Sequence, residues 1–297
     1  MARDIVLLVN PVCGGIRGLQ LVAPVRERLR RNGVHVRVIY GYTPEEALEA
    51  AHTAVRERPD ALVALGGDGL TNIAVQAVAG TEVALGIIPA GTGNDIARTL
   101  GVPVGDPLGA AEVLAHAQTR VIDAARLADR WFAGVASTGF DSLVTERANR
   151  MVRPQGQARY IAALAAELRV LQPWEFTFEL DGSRWKAEAV LVSVGNGVSY
   201  GGGMRICPDA ELDDGLLDVT VVGPVSRREL ARFFPSVYRG RHLSHPAVTT
   251  ARARTVSLAA SGAVAYADGE RFAPLPVTCE AVRDALRVLV PPPSVVE

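Results

Sequence analysis

Short apolar runs alternate with stretches whose apolar positions recur every three or four residues, and polar, glycine-rich breaks separate the two. Ile5–Val9 is wholly apolar and ends at Asn10-Pro11; after the loop Cys13-Gly14-Gly15, Leu21, Val25 and Leu29 fall on one helical face. Val34–Tyr40 reads as the next strand. Thr43-Pro44-Glu45-Glu46 then supplies an N-cap, a proline at the first helical position and a glutamate at the third. Ala47, Leu48, Ala51, Ala54 and Val55 follow on one face of that helix. Ala61–Leu65 with a helix from about Leu70, and Val83–Ile88 with a helix from about Asn94, repeat the unit, and Asp106-Pro107 caps one more helix ending near His116. This order predicts an N-terminal doubly wound α/β domain over residues 1–122, with right-handed crossovers.

Around Asp123 the pattern changes. Strand-like segments now dominate: Trp131–Ala136, Glu175–Leu180, Trp185–Val194, Leu216–Val222, Thr249–Leu258, Val264–Ala267, Val277–Ala281 and Leu286–Val290. Asp181-Gly182 marks a hairpin turn, and helical stretches remain near Gln157–Leu171 and Arg227–Tyr238. Residues 123–297 therefore read as a mainly antiparallel β-sandwich or barrel.

Composition narrows the possibilities. A chain of 297 residues that is 48% apolar and 21% charged can fill two cores. A formal net charge of -1 exerts no general pull on nucleic acid. Cys13, Cys207 and Cys279 are widely spaced, as expected of reduced thiols in a cytoplasmic protein. The apolar start is too short for a signal peptide, and no run of 18 apolar residues predicts a membrane span. Lys186 is the one lysine, so 30 of the 31 basic residues are arginine. A Walker loop and a protein kinase each need a lysine in a set motif, and neither motif is present. The five histidines show no metal-binding spacing.

Two loops carry the candidate chemistry. Ala61–Leu65 breaks into Gly66-Gly67-Asp68-Gly69, and the next strand breaks into Ala90-Gly91-Thr92-Gly93-Asn94-Asp95. In an open parallel sheet, loops at the carboxyl ends of neighbouring strands face one crevice. Glycines let consecutive backbone amides approach an anion, and the following helix adds its positive end. Asp68 beside a phosphate calls for a divalent cation between them, and Asp95 invites the same reading, so a nucleotide with Mg²⁺ is expected here. Either loop alone could equally be an ordinary βα turn with Asp and Asn as helix caps. Neither matches GxGxxG, which weighs against a dinucleotide oxidoreductase.

These residues bring a family into view. Asn10-Pro11, Gly66-Gly67-Asp68-Gly69 with Asn72, and Pro89-Ala90-Gly91-Thr92-Gly93-Asn94-Asp95 resemble the diacylglycerol kinase catalytic domain, which sphingosine and ceramide kinases share. The resemblance runs on, in order, through Ser193-Val194-Gly195-Asn196, Tyr200-Gly201-Gly202-Gly203, Pro208-Asp209-Ala210, Asp213-Asp214-Gly215 and Asp268-Gly269-Glu270. It is strongest to the soluble bacterial lipid kinases of the actinobacterial diacylglycerol kinase type. It implies an ATP domain followed by a β-rich lipid domain, and ATP- and Mg²⁺-dependent phosphorylation of the diacylglycerol hydroxyl to give phosphatidic acid. Asn10, Gly66, Gly67, Asp68, Gly69, Leu70, Thr71, Asn72, Thr92, Gly93, Asn94 and Asp95 would line the ATP site, with Asp68 and Asp95 holding Mg²⁺. Asp214, with the carbonyls of Glu211 and Leu216, would hold a second, structural Mg²⁺, and Glu270 matches the family's general base.

Taken alone, Asp268-Gly269 is a hairpin signal, and Asp213-Asp214-Gly215 could be a solvated turn. Two departures stand out: Leu70 replaces the threonine of the usual GGDGT, with Thr71 following, and position 41 is glycine where relatives often carry a threonine. They motivate a second reading, a non-catalytic nucleotide or lipid sensor; a third keeps the kinase and changes the acceptor to a sphingoid base or another lipid alcohol. The lipid must come from a membrane surface, expected to be the inner face of the cell membrane and reached peripherally. Two arginine clusters are candidates for docking: Arg147, Arg150, Arg153 and Arg159 near Tyr160–Leu171, and Arg227, Arg228, Arg232, Arg239 and Arg241 around Phe233-Phe234. A sheet edge pairing across a two-fold axis leaves a homodimer open.

Overall fold

The computed structural model describes residues 3–11, 16–154 and 157–292. The loop Cys13-Gly14-Gly15 lies outside the described residues. The chain divides into two compact units, residues 1–124 with 283–297, and residues 125–282. The chain from Arg283 onward thus returns to the first unit, where the sequence pattern placed it with the β-rich half.

The first unit contains β1 (Asp4–Val9), α1 (Ile16–Arg31), β2 (His35–Tyr40), α2 (Pro44–Arg56), β3 (Ala61–Gly66), α3 (Asp68–Val78), β4 (Ala84–Pro89), α4 (Asp95–Thr99), α5 (Pro107–Ala115) and most of β5 (Gln118–Leu127). The strand order β2-β1-β3-β4 is parallel throughout. Ile5, Leu7, Leu62, Leu85 and Ile88 are fully buried, because helices cover both faces of such a sheet and every side chain must be apolar. Thr43 caps α2, its Oγ1 accepting the Glu46 amide at 3.2 Å, while Glu46 Oε2 accepts the Tyr42 amide at 2.9 Å. Asp106 caps α5 through the Gly109 amide at 2.9 Å. Gly41 is buried against α2: a Cβ there would stand 2.3 Å from the Ala47 Cα, so a threonine has no room.

The second unit continues with β6 (Arg130–Phe132), β7 (Val135–Gly139), α6 (Phe140–Arg150), α7 (Gln157–Leu168), β8 (Trp174–Leu180), β9 (Ser183–Ala189), β10 (Leu191–Gly195), β11 (Leu217–Val222), α8 (Arg227–Phe233), β12 (Val248–Ala253), β13 (Thr255–Ala259), β14 (Val264–Ala267), β15 (Glu270–Pro274) and the start of β16 (Val277–Val290), whose remainder belongs to the first unit. One antiparallel sheet runs β12-β11-β10-β7-β14-β15. In the other, β13 pairs with β8 and with the start of β16, and β8 pairs with β9. Phe132, Phe176, Phe178, Val192, Val219, Val256 and Leu258 share one core, so side chains of both sheets meet there.

Several boundaries differ from the expectation. Trp131–Ala136 is broken at Ala133-Gly134, Trp185–Val194 at Val190 and Thr249–Leu258 at Arg254. Val277–Val290 is one strand rather than two, and α6 was not anticipated. Among the described residues, no helix is long and apolar enough to cross a membrane.

Candidate functional site

The first site forms where four parallel strands end. Val9 pairs with Leu65 and Gly66 with Pro89, so Asn10, Gly67 and Ala90 emerge along one edge of the sheet, and the Ala90 amide donates to the Gly66 carbonyl at 2.8 Å. The two glycine loops then touch backbone to backbone. A Cβ on Gly91 would stand 2.5 Å from the Gly67 Cα, and one on Gly93 would stand 2.3 Å from Asp68 Oδ2.

Asp68 locks this contact. Its Oδ2 accepts the Asn94 amide at 2.7 Å and its Oδ1 accepts the Asp95 amide at 2.9 Å. Burial, and then the neighbouring Asp95 carboxylate, push its pKa up, while these amide bonds oppose the shift. Asn94 takes the left-handed conformation, which asparagine tolerates better than most residues. Its side chain mimics a peptide unit toward Gly91, accepting the Gly91 amide at 3.1 Å and donating to the Gly91 carbonyl at 2.8 Å.

The remaining expected residues separate by role. Thr92 is exposed, while Asn10 and Asn72 are buried. Leu70 is buried beneath Gly66, its Cδ2 2.8 Å from where a Gly66 Cβ would be. Thr71 does not take over as an exposed hydroxyl, because it is buried and its Oγ1 donates to the Gly67 carbonyl at 3.1 Å. Among the described residues no three His, Cys, Asp or Glu side chains form a metal cage. A cation held by Asp68 and Asp95 would take its other ligands from phosphate oxygens and water, which suits Mg²⁺. The paired carboxylates fit that ion.

In the second unit, Asp268 and Gly269 form the two-residue turn between β14 and β15, with φ of 50° and 83°, which leaves Glu270 exposed as the first residue of β15. Asp268 has a further task that its motif did not reveal: its carboxylate accepts the amides of Ala133 and Gly134 at 3.1 and 3.0 Å. Asp214 Oδ1 accepts the Leu216 amide at 2.9 Å, and its Oδ2 is ion-paired with Arg252. Cys207 and Cys279 are free, and burial pushes both thiols up to about 12, so neither is reactive.

A buried carboxylate escaped the sequence reading. Asp141, at the start of α6, accepts the Ser137 hydroxyl at 2.7 Å, and Tyr200 also bonds to it. Burial drives its pKa from 3.8 to about 6 against those two hydrogen bonds. The folded state therefore holds the proton more tightly than the unfolded state. The associated stability is complete below about pH 4 and is lost as pH rises through about 6. Asp141→Asn is expected to stabilise the protein at pH 7.5 by at most about 3 kcal/mol. The gain should vanish in melts below about pH 4; a variant destabilised equally at every pH would refute the account.

Known proteins bear on both units. Residues 4–127 match the diacylglycerol kinase catalytic domain, and residues 134–290 match the YegS C-terminal NAD kinase beta sandwich-like domain. A diacylglycerol kinase of Mycobacterium tuberculosis is 43% identical over 290 residues, covering 96% of this chain and 94% of the relative. One from Bacillus subtilis is 28% identical, covering 85% of this chain and 84% of the relative. The crystal structure of a diacylglycerol kinase from Bacillus anthracis superposes with a TM-score of 0.76 at 22% identity, covering 99% and 98% of the two chains. An NAD kinase from Archaeoglobus fulgidus, solved with ATP, superposes at 0.53 with 13% identity over 96% and 92%. The chain belongs to the diacylglycerol kinase catalytic-domain family, as a lipid kinase with a β-sandwich-like second domain.

Proposed function

We propose that the protein is an ATP- and Mg²⁺-dependent lipid kinase that phosphorylates the free hydroxyl of diacylglycerol. The observation that carries this reading is the pair of glycine loops fastened together by Asp68, which sets two carboxylates beside backbone amides at the carboxyl edge of a parallel sheet. Phosphoryl transfer asks a protein mainly for positioning and charge stabilisation. Asp68 and Asp95 hold the cation, which when bound neutralises phosphate charge. Glycine-loop amides orient the phosphates, and Glu270 accepts the proton from the lipid hydroxyl as its oxygen attacks the terminal phosphorus.

The assay is transfer of labelled γ-phosphate from ATP to diacylglycerol, sphingosine, ceramide and monoacylglycerol in mixed micelles. Labelled phosphatidic acid is the expected product. A labelled product from another acceptor would keep the reaction and change the substrate. ATP binding without transfer would replace the proposal with the sensor reading, for which the buried Leu70 is the motive.

The lipid is reached through the α6–α7 face. Val152 is 83% exposed and Ile161 61%, Arg150, Arg153 and Arg159 lie within two residues of them in sequence, and Arg159 lies 5.6 Å from the Tyr160 ring centroid. Exposed apolar side chains with arginines beside them in sequence suit an anionic bilayer. The second arginine cluster exposes less apolar surface: Phe233 packs in two cores and stacks on His245 at 4.3 Å, Leu230 is buried, and Tyr238 is 42% exposed. Ile161→Glu with Arg153→Glu is expected to weaken sedimentation with phosphatidylserine vesicles by at least about tenfold. Wild-type binding indifferent to lipid charge and salt would remove this face from the role.

A further inference from the structure

β9 is the last strand of its sheet: β8 pairs with one edge of it, and among the described residues no strand pairs with the other. Such an edge offers a row of backbone donors and acceptors to any further strand, and proteins guard it with prolines, bulges or lysines. β9 pairs with β8 in unbroken register from Ser183 to Ala189, has no proline, and carries the chain's one lysine, Lys186. The two-residue turn Asp181-Gly182 makes Leu180 and Ser183 a hydrogen-bonded pair, and bonding alternates from there. The backbone groups of Arg184, Lys186 and Glu188 therefore face away from β8.

Side chains alternate as well. Trp185, Ala187 and Ala189 lie on the core side, where the Trp185 indole stacks on Phe178 at 5.2 Å yet remains 41% exposed. Arg184, Lys186 and Glu188 lie on the outer side and are exposed. Arg184 stands opposite Glu179, and Lys186 Nζ donates to Glu175 Oε1 at 2.9 Å. Glu188 stands directly opposite Glu175, a like-charge pair that costs stability, and among the described residues it has no ion-pair partner.

We propose that two copies of this chain pair antiparallel along β9, across a two-fold axis through Ala187. In that register each Lys186 lies opposite the partner's Glu188, and both have the outward-facing backbone that a hydrogen-bonded pair needs. Each Trp185 lies opposite the partner's Ala189, a large side chain against a small one on the core side. An axis through Lys186 would instead set lysine against lysine, so charge selects the first register. The shared ladder is short, which makes this a weak, concentration-dependent dimer.

Sedimentation equilibrium of the full chain at rising concentration tests the pairing. Wild type should pass from monomer to dimer, and Lys186→Glu or Glu188→Lys alone should weaken association about tenfold or more. The double exchange should restore it, because each pair across the axis then has its signs reversed together. Ala187→Cys, made with Cys13→Ser, should yield a disulfide-linked dimer on mild oxidation, since directly opposite residues at that position stand about 4.5 Å apart at Cα. The remaining cysteines, Cys207 and Cys279, are buried. A wild type that stays monomeric overturns the proposal. So does a dimer that Lys186→Glu leaves intact, or one in which Ala187→Cys does not cross-link. Should a charge variant fail to fold, the wild-type association and the cross-link decide.

Discussion

Replacing Glu270 with glutamine is expected to slow phosphate transfer to the lipid about 10²–10⁴-fold, the usual worth of a positioned general base. In barrier terms that is about 2.7–5.5 kcal/mol. Glutamine keeps the shape and can still hydrogen-bond the hydroxyl, but it cannot take the proton. The loss should therefore appear in kcat with little change in the KM for lipid. The variant should fold normally, because the turn before Glu270 is held by others: Asp268 and Gly269 carry its positive φ angles, and Asp268 fastens it to the Ala133 and Gly134 amides. An unchanged melting temperature would separate lost chemistry from lost structure. Near-full turnover would take Glu270 out of the role.

The parts of the fold legible in the sequence are those whose determinants are local. Continuous apolar runs marked β1, β3 and β4, since both faces of their sheet are covered. Thr43 and Asp106 announced α2 and α5 by capping chemistry that spans three residues. Asp181-Gly182 announced the β8–β9 hairpin, with φ of 45° and 87°. The misreadings arise where the chain passes between sheets. At Val190 and Arg254 the pattern continues although the partner strand changes, so β9 and β10, or β12 and β13, look like single strands. The two apolar halves of β16 flank Arg283-Asp284, where Asp284 has φ 56° and its amide donates to Asp123, a contact 161 residues away. For α6 there was a usable signal, with Asp141 in the first turn and Arg147 and Arg150 in the last, matching the helix dipole.

The site divides the same way. The glycine motifs were visible, and the diacylglycerol kinase resemblance they carried was matched over most of both units. Which of their residues serve the loops themselves was not visible. Asn94 was expected at the nucleotide, and its side chain also braces the loop at Gly91. Asp68 reaches across 27 residues to the Asp95 amide, and Arg252 meets Asp214 because β12 pairs with β11. Such pairings depend on which strands become neighbours, and no local spacing encodes that.

Asp68→Asn is expected to lower turnover by about 10²-fold, the usual cost of a small misplacement, for two separable reasons. The first is the latch. Asparagine offers one acceptor oxygen where aspartate offers two, and its amide group would face the Asn94 or Asp95 N–H, donor against donor. Leaving one buried N–H unsatisfied costs about 1–3 kcal/mol, and a hydrogen bond to a charged group is itself worth about 1.5–3 kcal/mol. There is no slack to absorb the misfit, since Gly93 already packs against Asp68 as closely as a glycine can. The second reason follows from the proposed function: the lost charge would weaken the hold on a cation shared with the phosphates. Hydrogen exchange without nucleotide or Mg²⁺ isolates the first effect: the Asn94 and Asp95 amides should exchange faster in the variant than in wild type. ATP binding at increasing Mg²⁺ isolates the second, with the variant needing more Mg²⁺ to reach saturation. Faster exchange with unchanged Mg²⁺ demand would leave Asp68 as a latch only, and the cation would then rest on Asp95. Wild-type exchange, binding and turnover together would remove Asp68 from both roles.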